Sequence, residues 1–266
     1  MLSESKTFFV TLSGRSLIRI GGPDRIAFLQ GLVSNDMALL EKQPCVYACL
    51  LSAQGKFLHD FFISTKGEIL LLECEGGARA EDLLSRLKTY KLRSKIDLTC
   101  ETNVPVYAAF GDAHAAAYPD PRHPDMGFRT FTKPENMPEE PSAFWDERRL
   151  RLGIPDGSRD FEVGQSTLEE GHLDRFHGIS FTKGCYVGQE LTARMHHRGL
   201  GKKHLYPIEA PPGHPLPATG ADIVVGGEAV GVMRSSCGPV GLALLKDGAA
   251  CELIKGHSQN VFSVLA

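Results

Sequence analysis

The sequence predicts an α+β fold closed by a small C-terminal β-barrel. Three observations carry this reading. The first hundred residues set groups of β-runs beside single amphipathic helices, a pattern of α+β units rather than of a doubly wound sheet. No Gly-x-Gly-x-x-Gly or phosphate-binding loop interrupts them. From about Tyr206 the texture changes to Pro207, Pro211, Pro212, Pro215 and Pro217 with short β-runs.

In chain order, Phe8 to Leu12 and Leu17 to Ile20 flank Ser13-Gly14 and read as a hairpin. Gly22-Pro23-Asp24 starts a helix with Ile26, Leu29, Leu32 and Val33 on one face, ending near Ser34-Asn35-Asp36. Val46 to Leu51 and Phe57 to Ile63 are strands joined by a hairpin-length loop, and Glu68 to Glu73 is a third. Ala78 to Lys91 is a helix with Leu83, Leu84, Leu87 and Tyr90 inward. Residues 112–142 are rich in turn-formers and read as a connection or mobile excursion. Ala143 to Leu152 is a short helix stopped by Gly153 and Pro155, and the capping-box patterns Ser166-x-x-Glu169 and Thr167-x-x-Glu170 predict a helix start near 166. Gly226-Gly227 is a hairpin turn, and with Val240 to Leu245, Ala250 to Ile254 and Val261 to Leu265 it completes a five- or six-stranded barrel over 205–266.

Composition bounds the function. The 266 residues are 42% hydrophobic and 23% charged, which excludes disordered and collagen-like chains. Seven cysteines without a Cys-x-x-Cys pair suit a reducing compartment. No secretory or transit pattern opens the chain, and no apolar run approaches the roughly 20 residues of a membrane span. A soluble, cytoplasmic protein without membrane contact is expected. Charge is uneven. Residues 171–207 hold six Lys and Arg against two carboxylates, and five of the ten histidines. The patch suits an anionic ligand, an acidic protein partner or RNA. Aromatics are sparse there and no RNA-recognition motif is present, so direct nucleic-acid binding is not expected.

Within that stretch Lys183-Gly184-Cys185-Tyr186-Val187-Gly188-Gln189-Glu190 leads into a run free of Gly and Pro from Gln189 to Arg198. Cys185 thus lies just ahead of a helix, beside Lys183, where a thiolate is favoured. Arg194, His197 and Arg198 share one face of that helix. Other readings of Cys185 are a buried small hydrophobe, a nucleophile paired with His196 or His197, and a zinc ligand with His172 and His177, though that set lacks paired spacing. Cys45, Cys49, Cys74 and Cys100 fall on strands, so no cluster ligand set stands out and no metal site is expected.

The octapeptide resembles the signature of the YgfZ-type folate-binding proteins, which are related to the glycine-cleavage T protein (aminomethyltransferase) and to mitochondrial iron–sulfur assembly factors. Phe28 to Asp36, Leu51 to Lys56 and Arg149 to Pro155 are similar to further segments of that family. The resemblance implies two interleaved ferredoxin-like units in a T-protein-like ring over 1–204, followed by the barrel, around a channel for tetrahydrofolate. It implies a role in assembling or maintaining [4Fe-4S] proteins, including tRNA-modifying radical enzymes, with these clients or other assembly factors as partners. Cys185 is then the functional thiol. Lys183, Gly184, Tyr186, Gly188, Gln189, Glu190 and Arg194 shape its surroundings and the folate site, which Asn35, Asp36 and Asp60 also face. Where aminomethyltransferases resemble Gly-Gly-x-x-Asp-Asp, this chain has Gly55-Lys56-Phe57-Leu58-His59-Asp60 and keeps one acid of two. Folate-dependent aminomethyl transfer, which needs a carboxylate near the reacting nitrogen, is the alternative.

Overall fold

The computed structural model describes residues 7–102, 104–111, 117–199, 201–254 and 263–265. The chain runs β1 (Phe8–Thr11), β2 (Arg15–Gly21), α1 (Arg25–Gln30), β3 (Cys45–Leu51), β4 (Phe57–Lys66), β5 (Ile69–Glu75), α2 (Ala78–Lys91), β6 (Asp97–Glu101), β7 (Tyr107–Phe110), β8 (Tyr118–Pro119), β9 (Phe128–Thr130) and α3 (Ser142–Arg151). It continues through α4 (Gln189–Arg198), β10 (Lys203–Glu209), β11 (Asp222–Val225), β12 (Glu228–Cys237), β13 (Val240–Lys246), α5 (Asp247–Ile254) and β14 (Ser263–Val264). Three sheets result, ordered β3-β4-β5-β2-β6, β1-β7-β9-β8 and β11-β12-β13-β10-β14. The α+β reading with a C-terminal barrel holds.

β3 and β4 are buried on both faces, which sets their near-continuous apolar sequence. One face packs Val46, Leu50, Phe61 and Ile63 against Phe28 and Leu29 of α1 and Leu83 and Leu87 of α2. The other packs Tyr47, Cys49, Phe57 and Phe62 against Phe161, Leu168, Leu173 and Tyr186. On the helices, Ile26 and Tyr90 are exposed rather than inward.

Several expectations fail for physical reasons. β1 and β2 form no hairpin: β1 pairs with β7, and β2 with β5 and β6. Phe8 and Val10 bury themselves with Phe110 and Trp145, whereas Ile18 and Ile20 belong to the α1–α2 core, so each run joins its own sheet. No helix starts at 166, because the Ser166 hydroxyl accepts from the Glu162 amide upstream and Gly171 lies against the Phe161 ring, where a Cβ would come within 2.2 Å. Residues 250–254 are helical in α5, not a strand. Of the last predicted strand, 261–262 lie outside the described residues.

The segment expected to be a mobile connection contributes to the core. Residues 112–116 lie outside the described residues, but Asp120, Arg122 and Arg129 are buried. Arg129 pairs with Glu73 of β5 and, at 3.2 Å, with Asp120. Asp120 also holds Arg122 at 2.8 Å, and Arg15 of β2 reaches Glu73 at 2.9 Å. Arg129 and Arg122 lie over the Phe62 ring, 4.0 and 4.7 Å from its centroid. This charged cluster joins the first two sheets. A reading that places charge on the surface misses it, because each guanidinium is matched by a carboxylate and an aromatic face. Among the described residues, no helix is long and apolar enough to cross a membrane.

Two predictions follow from these buried charges. Arg129→Met leaves Glu73 and Asp120 short of a partner, and should cost about 3–5 kcal/mol in urea denaturation; an unchanged midpoint contradicts the network's role. His59 and His172 are both pulled from 6.5 to about 4, chiefly by burial. The unfolded chain therefore binds more protons in that window, so stability is whole above pH 6.5 and falls as pH drops towards about 4. Urea midpoints across that range should decline, and a level profile contradicts the burial of both neutral imidazoles.

Candidate functional site

Two segments singled out in the sequence form one hydrogen-bonded unit. The turn after α1 (residues 31–36) lies along residues 177–187. Ser180 N donates to Ser34 O at 3.0 Å, and Val187 N to Gly31 O at 3.3 Å. The Ser34 hydroxyl donates to Gly178 O and accepts from Cys49 N. Asn35 Nδ2 donates to Tyr47 O and His177 O, and its Oδ1 accepts from Asp36 N, so the amide is fully engaged. Asp36 accepts from Ala38 N and from Gln30 Nε2, capping a 3-10 turn over Met37–Glu41.

At the centre is Lys183. Its Nζ donates to the carbonyls of Gln30, Val33 and Asn35, each at 2.7 Å, and lies 5.0 Å from the Tyr186 ring centroid. Burial pulls this ammonium down to about 8, against the opposing charge of Asp36, so it stays protonated at neutral pH. A buried ammonium with three carbonyl partners is satisfied, and the carbonyl of Gln30 is one that the end of α1 leaves without a helical partner. Tyr186 is buried and its phenol is pushed up to about 12 by that burial. Its amide donates to Gln189 Oε1.

The far end of the signature loop is held by shape. Gly188 has φ +79, and a Cβ there would lie 2.5 Å from Ser52 O and 3.0 Å from Gly55 Cα. Gly55, at φ +77 in the β3–β4 turn, faces Gly188 O and Leu191 in turn. Two glycines from separate motifs thus let two backbones touch. Between these anchors Gly184 and Cys185 are exposed, and among the described residues the Cys185 thiol has no hydrogen bond. Cys185 stands four residues ahead of Gln189, and Glu190 and Arg194 are exposed on α4.

The structure brings Asn35, Asp36, Lys183, Tyr186, Gly188 and Gln189 together. Asp60 lies elsewhere, buried and accepting from the Tyr47 hydroxyl at 2.8 Å, with burial raising its carboxyl against the charge of Arg15. His59 is a buried partner of Asp82. A cavity of about 610 Å³ opens beside Asn35, walled by Tyr47, His177, Ser180, Phe181 and Thr182. Sequence reasoning missed Tyr47, whose place in a continuous apolar strand hid it, and Phe181-Thr182, though they directly precede Lys183. Among the described residues no group of three or more His, Cys, Asp and Glu could hold a metal ion.

Comparison with known proteins agrees with this architecture. Residues 202–252 match the description of the CAF17 C-terminal β-barrel domain. A crystal structure of the glycine cleavage system aminomethyltransferase T from Bartonella henselae superposes with a TM-score of 0.74 at 15% identity, covering 92% of this chain and 79% of that one, so the fold is T-protein-like. The mitochondrial iron–sulfur cluster assembly factor IBA57 of Homo sapiens is 34% identical, over 92% of this chain and 78% of its own length; that of Mus musculus is 33% identical over the same shares. The homologue from Pyricularia oryzae is 34% identical, over 75% of this chain and 56% of its own length. These relatives are mitochondrial proteins, which corrects the expectation of a cytoplasmic one drawn from the N-terminal residues and the cysteines. By this likeness across nearly its whole length, the chain belongs to the IBA57 family of iron–sulfur cluster assembly factors.

Proposed function

We propose that the protein is a YgfZ-type, tetrahydrofolate-binding accessory factor for [4Fe-4S] proteins, with Cys185 as its functional thiol. The observation that carries this reading is the exposed Cys185 on a loop pinned at both ends, by Lys183 on three carbonyls and by Gly188 against Gly55. A rigid loop presents the thiol to iron, a sulfur donor or a partner protein without the entropy cost of ordering it first. With no ligand cluster among the described residues, a cluster contacting Cys185 draws its other donors from a client or another assembly factor. Radical enzymes that modify tRNA are the clients this reading names.

The cavity beside Asn35 suits folate by its chemistry. Tyr47 and Phe181 offer ring faces to a pterin, while Ser180 and Thr182 offer hydroxyls. Asn35 and Asp36 act there by fixing the wall, since their side chains bond to the protein itself. The 1–204 and 205–266 division follows the same reading, with Arg149 tying α3 to Ser235 of the barrel at 2.9 Å. Aminomethyl transfer is less well supported: Asp60 is bound to Tyr47 and is not among the residues walling the cavity.

Two measurements test this. Tetrahydrofolate should raise the melting temperature of wild type and Cys185→Ala equally, while Cys185→Ala abolishes support of a [4Fe-4S] client; absence of any folate shift, or full client support without the thiol, refutes it. Lys183→Met keeps the length of the side chain but leaves three carbonyls without their donor. It should cost about 1–3 kcal/mol, and amide exchange should quicken over residues 180–188. Unchanged exchange there would show that Lys183 does not hold the loop.

A further inference from the structure

A second cavity of about 360 Å³, sharing Asp174, Ile179 and Phe181 with the first, lies between α4, the barrel and the loop after Leu168. One carboxylate oxygen of a residue lining it, Glu169 Oε2, is buried without a hydrogen-bond partner, and Thr192, whose hydroxyl lies near the Tyr186 phenol, also lines it. Thr192 is 7% exposed, so its hydroxyl has little access to bulk water. Arg175 also lines the cavity, and its guanidinium has no ion pair or hydrogen bond among the described residues. His204 is occupied, with Nδ1 at 2.7 Å from Asp247 and Nε2 at 4.0 Å from Glu169 Oε1, and it stacks on His172 at 4.6 Å. His172 holds a left-handed backbone, φ +51, at the cavity wall. Phe181 and Tyr206 supply apolar surface.

Groups of both signs, the open oxygen of Glu169 and the guanidinium of Arg175, select the ligand. A simple cation would leave Arg175 unanswered, and a simple anion would meet the carboxylates of Glu169, Asp174 and Asp247. We propose that this cavity binds a small zwitterion of the α-amino acid class, its ammonium on Glu169 and Thr192 and its carboxylate on Arg175. The side chain then lies against Phe181 and Tyr206. The site shares Phe181 with the wall of the folate cavity but is set apart by its ligand, since an acylated amino acid such as the tail of folate lacks the ammonium that Glu169 requires.

The test is thermal melting of the full chain with glycine, leucine or phenylalanine at millimolar concentration, against N-acetylleucine and isoamylamine. At least one free amino acid should raise the melting temperature by several degrees, with neither analogue doing so. Glu169→Gln and Arg175→Ala should each weaken binding about tenfold or more. Arg175 is exposed and unpaired, so its variant keeps the fold if Glu169→Gln does not. No shift with any free amino acid, a shift equalled by N-acetylleucine, or wild-type binding in Arg175→Ala overturns the proposal.

Discussion

The ammonium of Lys183 is the constraint on which the site depends. A buried charge is costly unless it is fully bonded, and here three backbone carbonyls complete it, that of Gln30 at the end of α1 and those of Val33 and Asn35 in the turn after it. One contact therefore does two things. It satisfies a carbonyl that α1 leaves open at its end, and it fixes the signature loop against the turn after α1. Arginine could not substitute simply, because its planar fork does not converge on three carbonyls as a compact ammonium does. The exposed thiol two residues on owes its fixed position to this bond and to the Gly55–Gly188 contact.

The platform beneath is equally specific. β3 and β4 have no solvent face, so α1 and α2 cover one side, while the signature tyrosine and the 161–173 segment cover the other. The Glu73–Arg129–Asp120–Arg122 cluster then locks the second sheet to the first. Held against the pull of burial by Arg129 and Arg15, Glu73 stays below the usual carboxylate range. At the other end Arg149 reaches Asp160 and Ser235 and carries the same kind of bond into the barrel. Polar contacts thus set how the layers sit on one another, and apolar contacts fill each layer.

Local signals were legible where local forces decide. α2 and α4 occupy the residues their periodicity and flanking glycines predict, and the β3–β4 hairpin sits on its loop. Pairing between distant runs was not legible: nothing near Phe8 says that its partner is Phe110. The buried arginines were not legible, since their matching acids lie up to 58 residues away. The capping pattern at Ser166 misled because its hydroxyl turns back to Glu162. At the site, the motif residues were found by resemblance. What only geometry adds is that Asn35 and Lys183 hold the backbone, while Cys185 alone in the Lys183–Gly188 loop offers a free reactive atom.

Membership of the IBA57 family and the pinned, exposed thiol meet in the proposal that Cys185 supports the building of clusters in other proteins. The most direct measurement is rescue of [4Fe-4S] enzyme activity in cells depleted of their own factor of this family. Expressed at matched levels, the wild-type chain should restore that activity and Cys185→Ser should not. Equal rescue by Cys185→Ser would contradict the account.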